Sequence, residues 1–325
     1  MHAKMIGLGK YLPEKVLTNA ELEQMVETSD EWIVKRVGIK ERHISDEDTF
    51  TSDLATRAAE QALKNANLSP EELDLILVAS VTPDMYTPSV ACLVQKNLGA
   101  VGAVAFDINA ACSGFVYAMV TASQFIQSGM YRNVLVIGAD ALSKMTEYQD
   151  RKTCVLFGDG AGAAVLQATE EETGILSSFL GADGASGDCL TAPGFRCDEA
   201  DVERRPFGNL RTIWMDGSAV FKFAVRVMAS SAQKVVEQAG KTMADVRLVV
   251  PHQANMRIIE GAAKRLDMED GGIFVNVDKY GNMSSASIPV ALCEAVEQGC
   301  AQKGDLVVLV GMGGGLTWGS VLIEL

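Results

Sequence analysis

Residues 62–78, ALKNANLSPEELDLILV, show an amphipathic helix pattern, a turn and an apolar strand pattern in direct succession. Residues 235–251, VVEQAGKTMADVRLVVP, repeat this order without a gap, 173 residues farther along a chain of 325. Each segment is followed by a polar loop, a second helix pattern and a strand that ends in small polar residues. The repeat predicts an α/β fold made of two similar halves related by pseudo-twofold symmetry.

The polar, acidic stretch 167–173 follows an apolar run and is the expected joint, which predicts halves at 1–168 and 169–325. In open α/β sheets, ligands bind at the carboxyl ends of the strands. The symmetry would direct these strand ends of both halves toward one shared site. Residues 181–209, rich in Gly, Asp, Arg and Pro, are expected to form a long irregular loop, and such loops are often functional.

Composition narrows the classes of protein and site. Hydrophobic residues make up 48% of the chain, enough for a large core, and the net charge of −14 argues against general nucleic-acid binding. No apolar run is long enough for membrane insertion, and the N-terminus resembles a first strand rather than a signal peptide. The seven cysteines form no Cys-x-x-Cys pair and the histidines number three, so we expect no metal site and a reduced, cytoplasmic location.

Residues 106–115, FDINAACSGF, place Cys112 where a strand pattern gives way to a helix pattern. The start of a helix offers unpaired N–H groups and the positive end of the helix dipole. We therefore expect Cys112 to favour the thiolate, which is the nucleophilic form. The alternative is that Cys112 only fills space, as buried free cysteines usually do.

His252 and Asn282 occupy comparable positions in the second half. His252 directly follows the strand pattern 248–251 and precedes the helix pattern 256–266, so it is either a site residue or a histidine satisfied by the backbone. Asn282 lies in YGNMSSAS (280–287), after the expected strand 273–277. By itself this segment is typical of a turn and helix cap, but the repeat places it opposite the Cys112 loop.

Two glycine-rich segments remain open to interpretation. Residues 311–315, GMGGG, lie between strand patterns at 306–310 and 317–325 and match neither a P-loop nor a dinucleotide fingerprint. Such a run lets the backbone approach a ligand and direct an N–H group at it, as in an oxyanion hole. The segment FGDGAG at 157–162 fits tight packing and ligand contact equally well.

A tryptophan and several cations complete the candidates. TSDEWIVKR (28–36) fits an ordinary solvated helix with one anchoring tryptophan as well as a ligand site, and Arg151 follows a polar loop. In so acidic a chain, a local basic patch would suit an acidic partner or phosphates. The residues expected in that patch are Lys222, Arg257, Lys264 and Arg265.

Six segments of the chain carry a family resemblance: TSDEWI (28–33), AACSGF (110–115), FGDGAGA (157–163), PHQAN (251–255), GNMSSASIP (281–289) and GGGLTWG (313–319). Together they resemble the β-ketoacyl-acyl carrier protein synthase III family from end to end. The resemblance implies the thiolase fold, a five-layered αβαβα sandwich of duplicated halves, and a homodimer. It also implies an acyltransferase that condenses an acyl-CoA primer with malonyl-acyl carrier protein, with loss of CO2, to begin fatty-acid synthesis. No cofactor is expected, because the CoA thioesters are substrates.

The resemblance also implies a role for each matching residue. Cys112 would carry the acyl group, and His252 and Asn282 would donate hydrogen bonds to the malonyl thioester carbonyl. The backbone N–H groups of Cys112 and Gly314 would form the oxyanion hole. CoA would contact Thr28, Trp32, Arg36, Arg151, Gly217 and Asn255. The carrier protein would contact Lys222, Arg257, Lys264 and Arg265. The acyl pocket would contain Thr87, Leu142, Phe157, Met215 and Met312.

Thr87 and Met312 stand where the family often has phenylalanine, so we expect the enzyme to accept longer or branched primers. The nearest alternative is a thiolase-fold condensing enzyme of secondary metabolism with a different acyl donor or extender. A non-catalytic carrier-protein-binding subunit would lack the nucleophile, and Cys112 argues against it. A Cys–His hydrolase would use the histidine as a base and would not need Asn282.

Overall fold

A computed structural model describes residues 1–195, 197–268 and 271–325. The first half begins with a long strand, as the N-terminal sequence predicts, and alternates helices with strands. Its elements are β1 (His2–Tyr11), β2 (Val16–Thr18), α1 (Asn19–Leu22), α2 (Asp30–Val37), β3 (Glu41–His43), α3 (Thr51–Ala66), β4 (Leu75–Ala79), α4 (Val90–Leu98), β5 (Val104–Ile108), α5 (Gly114–Gln127), β6 (Asn133–Ala141) and β7 (Asp159–Thr169).

The second half repeats this alternation after a short break at 170–173. The polar break is shorter than the sequence suggests, because β7 continues through Thr169. The elements are β8 (Gly174–Ala182), β9 (Leu190–Thr191), α6 (Glu199–Arg204), β10 (Trp214–Met215), α7 (Gly217–Gln238), β11 (Leu248–Pro251), α8 (Met256–Leu266), α9 (Val277–Tyr280), α10 (Ser287–Glu297), β12 (Leu306–Gly313) and β13 (Thr317–Glu324).

The four strands of the second main sheet have the same order as the first four strands of the five-stranded first sheet. The first is β1-β7-β6-β4-β5 and the second is β8-β13-β12-β11. In the first, β4 is parallel to β5 and β6, and β7 is antiparallel to β6 and β1. In the second, β11 is parallel to β12, and β13 is antiparallel to β12 and β8. The repeated sequence segments form α3–β4 and α7–β11, at equivalent places, so the predicted duplication is confirmed.

Helices and sheets alternate in five layers. Helices α5 and α10 lie between the two sheets, and their apolar residues share one core with residues of both sheets, including Phe115, Leu77 and Val307. Helices α3 and α4 cover the outer face of the first sheet, and α7 and α8 cover that of the second. Burial of each large apolar side chain contributes about 1.5–3 kcal/mol, so the central layer fixes the halves against each other. The predicted αβαβα sandwich is confirmed, and none of the described helices is long and apolar enough to cross a membrane.

The strand predicted at 273–277 is reduced to a single bridge between Val249 and Ile273, and α9 already begins at Val277. The reason is the buried side chain of Gln253, which takes the place of a neighbouring strand. Its Nε2 atom donates to the carbonyl of Phe274 at 3.1 Å, and its Oε1 atom accepts from the amide of Asn276 at 3.0 Å.

Two loop predictions are also modified. The segment 311–313 belongs to β12 and pairs with β13, so only 314–316 form the turn of a hairpin. The stretch 181–209 contains a 3₁₀ turn (Gly184–Cys189), β9 and α6 rather than being wholly irregular. Buried Arg205 holds this stretch together, because its guanidinium donates to the carbonyls of Thr212 at 2.8 Å and Thr191 at 3.0 Å.

Candidate active site

The candidate residues meet where strands of both halves end. Cys112 lies in the 3₁₀ turn Ala111–Ser113, here called the cysteine turn, between β5 and α5. His252 directly follows β11, and Asn282 precedes the 3₁₀ turn Ser284–Ala286, here called the serine turn. The two turns pack against each other between the sheets, as the repeat predicts for equivalent strand ends.

Local hydrogen bonds hold the cysteine turn in a strained conformation. Ala111 has a φ of +46°, in the left-handed region that costs a residue other than glycine about 1–3 kcal/mol. Its amide donates to Oδ1 of Asn109 at 3.2 Å, and the hydroxyl of Ser113 donates to the carbonyl of Ala110 at 2.7 Å. This geometry turns the chain sharply from β5 into α5 with Cys112 at the bend.

The β12–β13 hairpin closes over the cysteine turn. A Cβ atom added to Gly313 would lie 2.6 Å from the backbone nitrogen of Cys112, so the close approach requires glycine at 313. The hydroxyl of Thr317 lies 2.9 Å from the carbonyl of Ala110 and 3.0 Å from that of Gly314, and thereby links the hairpin to the turn. Backbone groups of the glycine segment therefore lie beside the candidate nucleophile.

The expectation that Cys112 favours the thiolate is wrong for the free protein. Burial raises the pKa of the Cys112 thiol to about 12, and the nearby carboxylate of Asp140 acts in the same direction. A helix dipole contributes at most about 2 kcal/mol, which is less than the cost of removing a thiolate from water. Cys112 is therefore a neutral thiol at rest and needs a base when it reacts.

His252 is a buried, neutral imidazole. Burial lowers the pKa of His252 to about 3, because the imidazolium would lose its hydration. Its backbone amide donates to the carbonyl of Val310 at 2.8 Å, and its Nδ1 atom lies 2.6 Å from the hydroxyl of Ser287. The ring is thus fixed at one nitrogen, which leaves Nε2 for chemistry.

The hydroxyl of Ser287 suits both neutral tautomers of His252. It lies 3.0 Å from the carbonyl of Ser284, to which it can donate while it accepts from Nδ1–H. If it instead donates to Nδ1, the imidazole proton resides on Nε2. The same histidine can therefore accept a proton at Nε2 in one step and donate a hydrogen bond from Nε2 in another.

Asn282 combines the roles of turn residue and donor. Its Oδ1 atom accepts from the backbone amide of Ser284 at 2.9 Å, as the turn-and-cap interpretation expects. Its backbone amide donates to the carbonyl of Leu156 at 2.8 Å, and its carbonyl accepts from Gly158 at 3.0 Å. These bonds fix the amide group and leave Nδ2 as the donor end.

Sequence analysis missed the buried carboxylate of Asp140, which anchors the serine turn to the first sheet. Asp140 accepts from the amide of Ser285 at 3.0 Å, from the Ser285 hydroxyl at 2.6 Å and from the amide of Val81 at 2.8 Å. The one available signal was an acidic residue inside an otherwise apolar strand. The catalytic candidates of the two halves are thus held together by a polar bridge in the core.

The glycines of FGDGAG serve packing. A Cβ atom at Gly160 would lie 2.7 Å from the sulfur of Met283, and one at Gly162 would lie 2.7 Å from Cβ of Pro289. Asp159 is buried and accepts from the amides of Ser143 and Ser45, each at 2.8 Å. This segment lets β7 pass close to the chain that carries Asn282.

The predicted CoA residues lie mainly around α2 and the start of α8. The guanidinium of Arg151 lies over the Trp32 ring, 5.0 Å from its centroid, and Thr28 has a buried hydroxyl without a partner in the described residues. Arg36 is exposed one turn beyond Trp32. Asn255 is the N-cap of α8, and Gly217 is the exposed first residue of α7.

The predicted carrier-protein residues are all exposed and lie on α7 and α8. Lys222 lies on α7, while Arg257 is at the start of α8 and Lys264 and Arg265 are in its last turn, about 12 Å farther along the helix. Exposed Arg226 lies one turn beyond Lys222 on α7. Both α7 cations line a cavity of about 540 Å³.

Three of the five predicted acyl-pocket residues share one apolar cluster. Leu142 and Phe157 are buried there, and Met215 is partly buried against them. Met312 belongs instead to the core between the second sheet and α7–α8. Thr87 is exposed on the loop between β4 and α4, so a single protomer does not bring it to the others.

Comparison with known proteins gives matches over the whole chain. The family model described as 3-Oxoacyl-[acyl-carrier-protein (ACP)] synthase III matches residues 106–184, and the model of its C-terminal part matches 236–325. A beta-ketoacyl-[acyl-carrier-protein] synthase III of Caldanaerobacter subterraneus subsp. tengcongensis is 55% identical, over 99% of this chain and 97% of the relative.

Solved structures give the same match. The crystal structure of 3-oxoacyl-[acyl-carrier-protein] synthase III from Aquifex aeolicus VF5 is 50% identical, with a TM-score of 0.92 over 99% of this chain and 100% of that chain. A beta-ketoacyl-[acyl carrier protein] synthase III from Thermus thermophilus is 45% identical, with a TM-score of 0.93 over 99% of each chain. The similarity therefore covers both halves and their arrangement.

Proposed function

Since the chain belongs to the 3-oxoacyl-[acyl-carrier-protein] synthase III family, we propose that it condenses an acyl-CoA primer with malonyl-acyl carrier protein to give β-ketoacyl-acyl carrier protein, CO2 and CoA. The reaction would begin fatty-acid synthesis. The observation that carries the proposal is the packing of the cysteine turn against the serine turn beside Asn282, with Nδ1 of His252 in contact with Ser287 just after the serine turn. A fixed amide donor beside a Cys–His pair suits an enolate better than simple hydrolysis.

The first half-reaction transfers the acyl group to Cys112. The thiol proton moves to Nε2 of His252, the sulfur bonds to the thioester carbon, and the bond from that carbon to the CoA sulfur breaks. CoA leaves as a thiol with the proton from His252. The backbone N–H groups of Cys112 and Gly314 would stabilise the tetrahedral oxyanion. Neutral His252 has a free lone pair at Nε2, and the negative charge that develops on the sulfur and on the oxyanion would raise the pKa of His252 from its low resting value as it takes up the proton.

The second half-reaction forms the new carbon–carbon bond. The bond between the malonyl carbon and its carboxylate breaks, CO2 leaves, and the electron pair forms an enolate. The enolate oxygen would accept hydrogen bonds from Nδ2 of Asn282 and from His252 in its Nε2–H tautomer. The carbanion then attacks the acyl carbon, the bond to the Cys112 sulfur breaks, and the released thiolate takes up a proton from solvent. No resident cofactor is needed, because hydrogen bonds stabilise the developing charge.

CoA would bind across α2 and the start of α8. The adenine ring would stack on Trp32 and Arg151, Arg36 would lie near the nucleotide phosphates, and the pantetheine arm would pass Gly217 and Asn255. The unpaired hydroxyl of Thr28 supports a polar ligand at this place. Stacked layers lie about 3.5–4 Å apart, so Arg151 must move outward from its present 5.0 Å distance to admit a base.

The carrier protein would dock on the exposed cations of α7 and α8, which are Lys222, Arg257, Lys264 and Arg265. An acidic partner would be attracted to them although the chain as a whole carries a net charge of −14. The acyl pocket would contain Leu142, Phe157 and Met215, and the Thr87 loop of a second copy would close it, whereas Met312 lies in the core of the second sheet. Thr87 replaces a rigid aromatic residue that shortens the pocket, which favours longer or branched primers.

A homodimer would complete the pocket. Strand β5 lies at the edge of its sheet, and its first residue, Val104, is 46% exposed. The adjoining loops expose Met85, Tyr86 and Val101, so an apolar surface continues from the edge strand toward Thr87. A second copy that paired along β5 would cover this surface and bring its own Thr87 loop near the partner's site.

All seven cysteines are free, which fits a reducing compartment such as the cytoplasm.

Product analysis tests the proposed reaction. Purified protein is incubated with acetyl-, isobutyryl- or octanoyl-CoA and either malonyl-acyl carrier protein or malonyl-CoA, and the products are identified by mass spectrometry. We expect β-ketoacyl-acyl carrier protein from the first extender, with isobutyryl- or octanoyl-CoA used at least as well as acetyl-CoA. Release of free acid without any extender would indicate the hydrolase. Efficient use of malonyl-CoA would indicate the secondary-metabolism alternative. Strict use of acetyl-CoA would refute the primer assignment.

A further inference from the structure

Ser284 carries two unfavourable features beside the candidate nucleophile. Its hydroxyl is buried and has no hydrogen-bond partner in the part of the chain that the structure describes, which costs about 1–3 kcal/mol. Its φ of +47° lies in the left-handed region, at a further cost of about 1–3 kcal/mol. An unpaired buried hydroxyl and a left-handed backbone at one residue beside a reaction centre require a functional explanation.

The backbone of Ser284 is joined to both other catalytic candidates. Its amide donates to Oδ1 of Asn282 at 2.9 Å. Its carbonyl accepts from the hydroxyl of Ser287 at 3.0 Å, and that hydroxyl lies 2.6 Å from Nδ1 of His252. The main chain of Ser284 is thus held from two sides, and its side chain remains free to face the third candidate, Cys112.

The serine turn, which begins with Ser284, packs against the cysteine turn, so the Ser284 hydroxyl is close to two groups that can be negatively charged. It lowers the pKa of the Cys112 thiol and that of the Asp140 carboxyl, in both cases against the stronger effect of burial. Asp140 has no need of another donor, because Ser80, Val81, Thr82 and Ser285 already donate to it.

The Cys112 sulfur is less well supplied, because the other donor that lowers the pKa of its thiol is the backbone amide of Cys112 itself. Its neighbouring titratable groups are Asp140, whose charge raises the pKa of Cys112, and His252, which is neutral. A hydroxyl beside the sulfur would both hydrogen-bond the thiolate and offset the repulsion from Asp140. In the free protein the Cys112 thiol is neutral, so the Ser284 hydroxyl has no charged acceptor until the thiolate forms.

We propose that Ser284 is a further catalytic residue, whose hydroxyl donates a hydrogen bond to the Cys112 sulfur whenever the thiolate forms. The inference rests on the proposed role of Cys112 as acyl carrier. During acylation the S–H bond breaks and the proton moves to Nε2 of His252, while the Ser284 O–H bond stays intact and turns toward the sulfur. During condensation the same hydroxyl stabilises the thiolate as it leaves the acyl carbon.

Alkylation of Cys112 by iodoacetamide tests this role without using the enzymatic reaction. The rate is measured between pH 7 and about 9.5 by mass spectrometry of the Cys112 peptide, for the wild type, Ser284→Ala and Ser284→Gly. Both variants lose the hydroxyl, but glycine also tolerates the left-handed backbone. We expect both to react about tenfold more slowly at every pH, because one charge-assisted hydrogen bond changes the thiolate fraction by about that factor.

Ser123→Ala is the matched control. Ser123 is a buried serine on α5, the helix that follows Cys112, and its hydroxyl donates to the carbonyl of Val120 at 2.8 Å. Its loss should leave the alkylation rate unchanged. If Ser284→Ala does not fold, as judged by circular dichroism, the glycine variant decides alone.

The result that overturns the inference is a wild-type alkylation rate in Ser284→Gly. A slow alanine variant beside a normal glycine variant would assign Ser284 to backbone geometry and would likewise refute it. Failure of the wild type to take an acyl group from acyl-CoA would instead contradict the proposed function, and the alkylation comparison would still decide the role of Ser284.

Discussion

The Nδ1 atom of His252 lies 2.6 Å from the Oγ atom of Ser287, at the first residue of α10. A carboxylate at this place would hold the proton on Nδ1 permanently, and a backbone carbonyl would do the same. A hydroxyl can accept from Nδ1–H or donate to Nδ1, so it permits both tautomers. The two proposed half-reactions need these two tautomers in turn.

Replacing Ser287 by alanine should therefore impair turnover more than substrate binding. Loss of the hydroxyl leaves Nδ1 of buried His252 without its partner, at a cost of about 1–3 kcal/mol, so we expect kcat to fall about tenfold or more. The Michaelis constants for acyl-CoA and malonyl-acyl carrier protein should stay within about twofold of the wild type. Steady-state kinetics measure both, with Ser230→Ala on α7 as the control. An unchanged kcat would show that the hydroxyl has no part in positioning His252.

The low pKa of His252 predicts an acid-sensitive fold. An unfolded chain takes up a proton at this histidine near pH 6.5, but the folded protein does so only near pH 3. Folding stability is therefore lost progressively as the pH falls below about 6.5, with a limiting slope of about 1.4 kcal/mol per pH unit from this group. His252→Asn should lose less stability than the wild type between pH 7 and 5, as measured by urea unfolding. Parallel stability curves for the two proteins would contradict a neutral, buried His252.

The stacked pair of Trp32 and Arg151 predicts where CoA affinity arises. Trp32→Ala should raise the Michaelis constant for acyl-CoA about tenfold, because stacking of a base on an aromatic ring contributes about 1–3 kcal/mol. The value of kcat should be preserved. An acyl-pantetheine thioester lacks the nucleotide and supplies the control, since the variant and the wild type should use it equally. An equal loss with both substrates would place the effect of Trp32 in the fold rather than in nucleotide binding.

The exposed edge of the first sheet predicts a dimer that a single charge can disrupt. Val104→Lys introduces a cation at the start of β5, where an unpaired strand edge would otherwise accept a second copy. We expect the wild type to sediment as a dimer and the variant as a monomer with low activity, in analytical ultracentrifugation at micromolar concentration. Val202→Lys, on α6 and similarly exposed, is the control and should remain dimeric. A monomeric wild type would rule out this interface.

The periodic and repeated parts of the sequence predict the fold well. The helix pattern 256–266 corresponds to α8 residue for residue, and the strand pattern before it corresponds to β11. Patterning fails at 273–277, because beyond the single backbone bridge to Val249 the segment is bonded by the side chain of Gln253. A long-range contact of one side chain has no periodic signal.

The candidate site, like the fold, could be predicted from the sequence only in part. Cys112, His252 and Asn282 could be found because they lie where strand patterns end. The charge state of Cys112 could not be predicted, since it depends on burial and on Asp140, which lies in β6, two strands away from β5 in the sheet. Ser284 and Ser287 stood inside a segment typical of turns, where their hydroxyls looked like ordinary caps. The roles that we propose for them rest on hydrogen bonds to His252 and Asn282, which the sequence alone does not indicate.

The central claim is that Cys112 carries the acyl group which malonyl-acyl carrier protein then removes. The most direct measurement is a two-step mass-spectrometric experiment on intact protein and on the Cys112 peptide. The protein is incubated with octanoyl-CoA, separated from it, and then mixed with malonyl-acyl carrier protein. We predict one acyl group per chain on Cys112, stable until the second step and then converted to β-ketoacyl-acyl carrier protein. Acylation at another residue, or loss of the acyl group as free acid before the second step, would contradict the account.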